Sequence, residues 1–224
     1  MEALLSLEPA EAVGRLGALL SQPVQVGEEL EALRTAVLEL IFRGAPAGPL
    51  GYEARAALYR EASDRGDEAL MRLLRTSAAA ETLEDPGRRL HHSVATLPLG
   101  VRRALAKGFD RGQLEMLFLD PDPIVIEHVL ANPRVTEEDV VRIAAHRPIA
   151  AETLDRVARS ERFGARPRVC AALARNPFAA SDVAIHALPR LTSRELREVV
   201  ADRRLHADTR AHARFELGRR RGST

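Results

Sequence analysis

The chain contains no tryptophan, one cysteine and two tyrosines, and its 224 residues are only 4% aromatic. Each shortage removes a class of function. The lone Cys170 cannot form an internal disulfide or supply a multi-cysteine metal or iron–sulfur site. Because it falls in an apolar helical stripe, Cys170 reads as a buried, inert thiol. Single-strand nucleic-acid binders stack bases on aromatic side chains, and Tyr52 and Tyr59 alone make a poor platform. No run approaches the roughly 18 uncharged apolar residues of a membrane span. The start, Met1-Glu2-Ala3-Leu4-Leu5-Ser6-Leu7-Glu8, is acidic where a secretory leader is basic. A cytoplasmic chain without a membrane segment is expected.

The motifs of common catalysts are missing as well. There is no Gly-x-Ser-x-Gly elbow, and the glycine cluster Gly44 to Gly51 lacks the Gly-Lys-Ser/Thr ending of a phosphate loop. His91 and His92 are adjacent, so on a helix they point about 100° apart, and no HExxH-type spacing accompanies them. His206 and His212 fall off a common face, while His128, His146 and His186 sit near expected helix ends, where solvated histidine is ordinary. Glu137-Glu138-Asp139 stands at a helix start, where carboxylates complement the dipole. No catalytic residue, metal or cofactor is expected.

What is present is a repeat. Val125-Ile126-Glu127-His128-Val129-Leu130-Ala131-Asn132-Pro133 returns 44 residues later as Val169-Cys170-Ala171-Ala172-Leu173-Ala174-Arg175-Asn176-Pro177, and residues 152–158 return 42 residues later as 194–200. Hydrophobic residues make up 46% of the chain, enough for a continuous core. A repeat that cannot bury its own apolar stripe must stack on its neighbours. From residue 98, stripes at i, i+3 and i+4 alternate with prolines at 121, 123, 133, 148, 167, 177 and 189. Asp120-Pro121, Asn132-Pro133 and Asn176-Pro177 read as corners between helices. Thr136, Ser181 and Thr192, each close before acidic residues, read as helix starts. The expected cycle has three helices, near 123–131, 137–146 and 150–160, then again from 165, 180 and 193. Leu130, Val140, Ile143, Leu154, Val157, Val169, Leu173, Val183, Leu196 and Val199 form the expected core. A last helix near 207–218 would cap the array with a polar outer face.

The first 90 residues are also helical but do not follow the period. Ala12/Leu16/Leu19/Leu20 and Leu30/Leu33/Val37/Leu40/Ile41 mark two amphipathic helices, followed by a breaker-rich loop at 43–51 and helices near 52–63 and 67–77. Residues 78–97, with Asp85-Pro86-Gly87, are the expected seam. The chain thus divides into a helical N-terminal cap region, 1–90, and an array with a capping helix and basic tail, 91–224. A cap packed directly on the array would give the same signals.

The run from Leu130 to Ala144, with its Leu-Ala-Asn-Pro and Thr-Glu-Glu-Asp, and the later Ala172-Leu173-Ala174-Arg175-Asn176-Pro177 resemble bacterial leucine-rich repeat variant and HEAT-like helical repeats. The resemblance covers about residues 98–217. It implies an all-α, right-handed superhelix of HEAT or armadillo type and a binding scaffold rather than an enzyme. Some leucine-rich variant proteins carry an iron–sulfur cluster on a cysteine-rich leader; with Cys170 as the single cysteine here, no such cofactor is expected.

Charge supplies the functional expectation. Residues 162–224 carry 14 basic and 6 acidic groups, whereas 113–161 carry 5 and 10. All but one of the 33 cations are arginine, Lys107 being the exception. If units stack in register, residues 162–168 and 203–210 occupy equivalent positions, lining one edge with guanidinium groups suited to carboxylates or phosphates. Arg162, Arg166, Arg168, Arg203, Arg204, Arg210 and Arg214 are the expected partner-binding residues, with Arg219-Arg220-Arg221 as a basic tail. The expected partner is an acidic protein surface. The alternative is nucleic acid, since some small HEAT-like proteins are DNA glycosylases that hold duplex on a basic concave face.

Overall fold

Four Asx corners punctuate the array. The side-chain oxygens of Asp120, Asn132, Asn176 and Asp202 each accept the backbone N–H two residues on, at 2.9, 2.9, 3.0 and 3.0 Å. This local bond competes with helix continuation, and in the first three cases the intervening proline stops the helix outright. The computed structural model describes residues 7–21, 28–43, 52–75, 77–82 and 92–221. The expected loop at 43–51, apart from the helical Arg43, lies outside them, as do the Asp85-Pro86-Gly87 turn and His91.

Every regular element among the described residues is helical. The helices are α1 (Pro9–Ser21), α2 (Glu28–Arg43), α3 (Tyr52–Asp64), α4 (Glu68–Leu74), α5 (His92–Ala95), α6 (Leu99–Ala106), α7 (Arg111–Met116), α8 (Pro123–Ala131), α9 (Glu137–Ala145), α10 (Ala151–Arg159), α11 (Pro167–Ala174), α12 (Ser181–Ala187), α13 (Ser193–Ala201) and α14 (Ala207–Arg221). A short 3-10 turn, Leu188–Arg190, follows α12. Thr136 and Thr192 close capping boxes with Asp139 and Glu195, as their spacing requires. Ser181 departs from expectation: Ala180 is the cap position, and the buried Ser181 instead accepts the N–H of Ser77 at 3.0 Å.

The packing period is two helices, not three. Alternate helices pack on one another, α6 on α8, α8 on α10, α10 on α12, α12 on α14, and α9 on α11, beside the contacts between neighbours such as α11 with α12 and α13 with α14. Two rows result, with α7 tied to α9 by the Arg111–Asp139 ion pair and α11 to α13 by Arg175–Glu198 at 2.8 Å. The 44-residue sequence match equates α8 with α11 and therefore crosses from one row to the other. Both rows face one core, so both need the same apolar stripe and the same corner, which is why the offset looks like a repeat. All ten expected core residues are buried in a single apolar cluster.

The N-terminal helices build a second cluster from Ala12, Leu16, Leu20, Val37, Ile41, Leu58, Leu70 and Leu74. Leu33, expected in the buried stripe of α2, is 52% exposed. That helix turns Arg34 inward instead, to pair with Glu216 of α14, and Phe42 of α2 joins the array core. The capping helix α14 leaves Arg214 and Arg221 exposed on its outer face, and it also carries charge inward: Glu216, Arg219 and His212 are all buried. Residues 77–82 fall at the expected seam and bond across the α11–α12 turn, Glu81 N–H donating to Pro177 and Ser181 N–H to Ser77.

Candidate binding surface

Turns after α6, α8, α10 and α12 form one edge of the two rows, and turns after α7, α9, α11 and α13 form the other. Hydrogen bonds keep each edge together. On the first, Asn132 Nδ2 donates to the carbonyls of Ala106 and Gly108 at 2.9 and 2.8 Å, and Arg162 donates to those of Asn132 and Val135 at 2.9 and 3.0 Å. On the second, Asn176 Nδ2 donates to Ala144 and His146 at 2.7 and 2.9 Å, and Arg147 donates to Arg175 O.

The expected arginines divide between these edges. Arg162, Arg166 and Arg168 lie on the first, Arg203 and Arg204 on the second, so they do not form one line. Shifting the sequence by three helices exchanges rows and therefore edges, which is why equal offsets gave unequal places. Several of the seven are also engaged. Arg168 reaches Glu138 at 2.7 Å, and Arg204 folds back on Asp202 at 2.8 Å, where the carboxylate raises the Arg204 pKa and the guanidinium lowers that of Asp202. Arg166 makes only a long bond to Arg162 O at 3.5 Å. Arg203 and Arg214 are exposed and make no ion pair with another described residue. Arg210 lies part-buried on α14.

A cleft of about 510 Å³ opens on the first edge, between α8 and α10, lined by Glu127, Leu130, Ala131, Arg156, Arg159, Ser160, Glu161 and Arg162. Of the expected set it contains Arg162 alone. Arg156 and Arg159 share a three-residue arginine spacing with Arg162 in the sequence, the one signal for them, but they lie in the acidic segment 113–161. Arg159 is fixed from behind: it pairs with Asp155 at 2.7 Å, donates to Phe42 O at 3.0 Å and lies 4.6 Å over the Phe42 ring. Phe42 stacks in turn on His186, with ring centroids 4.0 Å apart. His186, expected on a solvated flank, is therefore buried, with Glu39 3.3 Å from its Nε2. Arg162 covers the Phe163 ring at 4.6 Å. The turn that carries Arg162 depends on Gly164, where a Cβ would stand 2.0 Å from Ala158 O.

Elsewhere the titratable groups are structural. Burial alone would raise the Asp139 carboxyl, but Arg111, Thr136 and Arg142 outweigh it and hold the group well below the usual range. Burial pushes the Cys170 thiol up to about 11, consistent with an inert core thiol donating to Gly164 O. His212 is driven down to about 3 by burial and then by Arg72, Arg34 and Arg219. Among the described residues no group of three or more His, Cys, Asp or Glu could hold a metal ion, and no helix is long and apolar enough to cross a membrane.

Compared with known proteins, the chain matches no family model, no curated protein and no solved structure. The resemblance to repeat families therefore rests on its residues, and the all-helical packing is compatible with a helical repeat protein.

Proposed function

We propose that this protein is a non-catalytic protein-binding scaffold, a HEAT-like right-handed superhelix that meets an acidic partner surface through arginines of its first edge. The observation that supports it is the row Arg156, Arg159 and Arg162, three guanidinium groups on one cleft, two of them braced by bonds to backbone carbonyls. Arg162, braced by two carbonyls, loses little conformational freedom when it receives a carboxylate. Exposed Arg166 and Arg168 extend the same edge.

Capture of partners from native cytosol tests the reading when three proteins are compared: wild type, Arg166→Glu with Arg168→Glu, and Arg203→Glu with Arg204→Glu. The expected result is a protein partner lost on first-edge reversal and retained on second-edge reversal. Titration with labelled duplex and single-stranded DNA separates the alternative. Tight binding whose affinity falls by orders of magnitude between low and physiological salt would replace the scaffold with a nucleic-acid binder.

A further inference from the structure

We infer that the cleft between α8 and α10 holds an extended peptide segment, seating one acidic side chain between Arg156 and Arg162 and an aliphatic side chain against Ala131 and the edge of Leu130. This rests on the scaffold reading and gives it a location and a ligand chemistry. At about 510 Å³ the cleft falls within the range that binds small ligands and peptide side chains.

The charges of the lining are not equivalent. Arg156 is 43% exposed and its nearest carboxylate, Glu127, lies 3.9 Å away, so its planar fork is open to a bidentate carboxylate. Among the described residues Arg162 bonds only to neutral carbonyls, which position it without cancelling its charge. Arg159 differs, since Asp155 neutralises it; it serves as wall. Glu127 and Glu161 stand exposed at the rim. A polyanion laid along the cleft would meet both carboxylates, whereas a peptide with a single acid avoids them. The mixed lining thus favours a protein segment with an isolated acidic residue over a phosphate backbone.

A displayed random-peptide library selected on the full-length protein supplies the probe. Recovered peptides are expected to share an Asp or Glu beside Leu, Ile, Val or Met. Arg156→Glu should weaken a recovered peptide about tenfold or more, and Arg156→Lys should weaken it less, because the charge remains while the fork is lost. Arg203→Glu, on the opposite edge, should leave affinity unchanged. Arg156 is a half-exposed surface residue, and thermal melts of each variant check that folding is retained. Acidic peptides that bind Arg156→Glu undiminished but fail on Arg166→Glu with Arg168→Glu overturn the cleft and leave the scaffold standing. Recovered peptides without a shared acid also overturn the cleft. A library yielding no binder, with DNA bound in a steeply salt-dependent way, overturns both.

Discussion

Arg162 donates one N–H to the carbonyl of Asn132 and another to that of Val135, a pairing lysine cannot reproduce because only guanidinium presents a fixed planar fork. The same use recurs where Arg220 takes the carbonyls of Leu191 and Pro189, and where Arg55 takes those of Ile41 and Leu74. Part of the arginine excess thus serves helix ends that need donors. Arg162→Lys should cost about 1 kcal/mol in urea melts. Leu173, 1% exposed, tests the core: Leu173→Ala should destabilise by roughly 2–5 kcal/mol. His212 sets a pH dependence. The unfolded chain takes up its proton below about pH 6.5, while the folded chain resists until about 3. Its contribution is therefore complete above pH 6.5 and falls as pH drops toward 3, with a slope approaching about 1.4 kcal/mol per pH unit. His212→Gln should flatten the stability profile between about pH 6 and 5, above the range in which Asp139 and its like titrate.

At the scale of elements, the corners do more than stop helices. Asn176 spends its oxygen on the Phe178 N–H and its amide on two carbonyls of the preceding turn, so one side chain both ends α11 and pins it to α9. Asn176→Asp keeps the acceptor and loses the donors, turning a carboxylate toward two buried carbonyls. A loss of about 1–3 kcal/mol is expected by thermal or chemical denaturation. Asp202→Asn should cost less, because its partners are the N–H and guanidinium of its own turn. Gly164 imposes a steric limit. With a Cβ 2.0 Å from Ala158 O, Gly164→Ala must displace the α10–α11 turn and should destabilise by about 3 kcal/mol or more. It should also move Arg162 off the cleft.

Over the whole molecule, two apolar clusters meet through Phe42 and Leu73 and through a set of ion pairs. Glu216, fully buried, accepts from Arg34 of α2 and Arg219 of α14, and Glu31 completes the set. Glu39 meets Arg190 and His186 nearby. Removing one member strands the others in a dry site, so Glu216→Gln should cost about 3–5 kcal/mol, while the paired change Arg34→Met with Glu216→Leu should cost much less. Hydrogen exchange locates the effect: Glu216→Gln is expected to lower protection in α1–α4 before that of α9 and α11, because the N-terminal cluster stands apart from the array core.

The helices, their ends and their buried faces were written in local pattern. Apolar spacing, Asn-Pro corners and the Thr136 and Thr192 caps act within a few residues, so a chain read from one end to the other exposes them. Pairing of rows is not local. Two rows that share a core demand the same stripe, and a 44-residue match cannot say whether it joins helices within a row or across rows. The tertiary structure decided that, and with it the separation of Arg162 from Arg203 and Arg204. It also decided the fate of charge: sequence marks Arg34, His186 and Glu216 as polar, but burial depends on which helix lies opposite. The cleft arises for the same reason, since α8 and α10 are 28 residues apart from start to start and meet only through the packing of alternate helices.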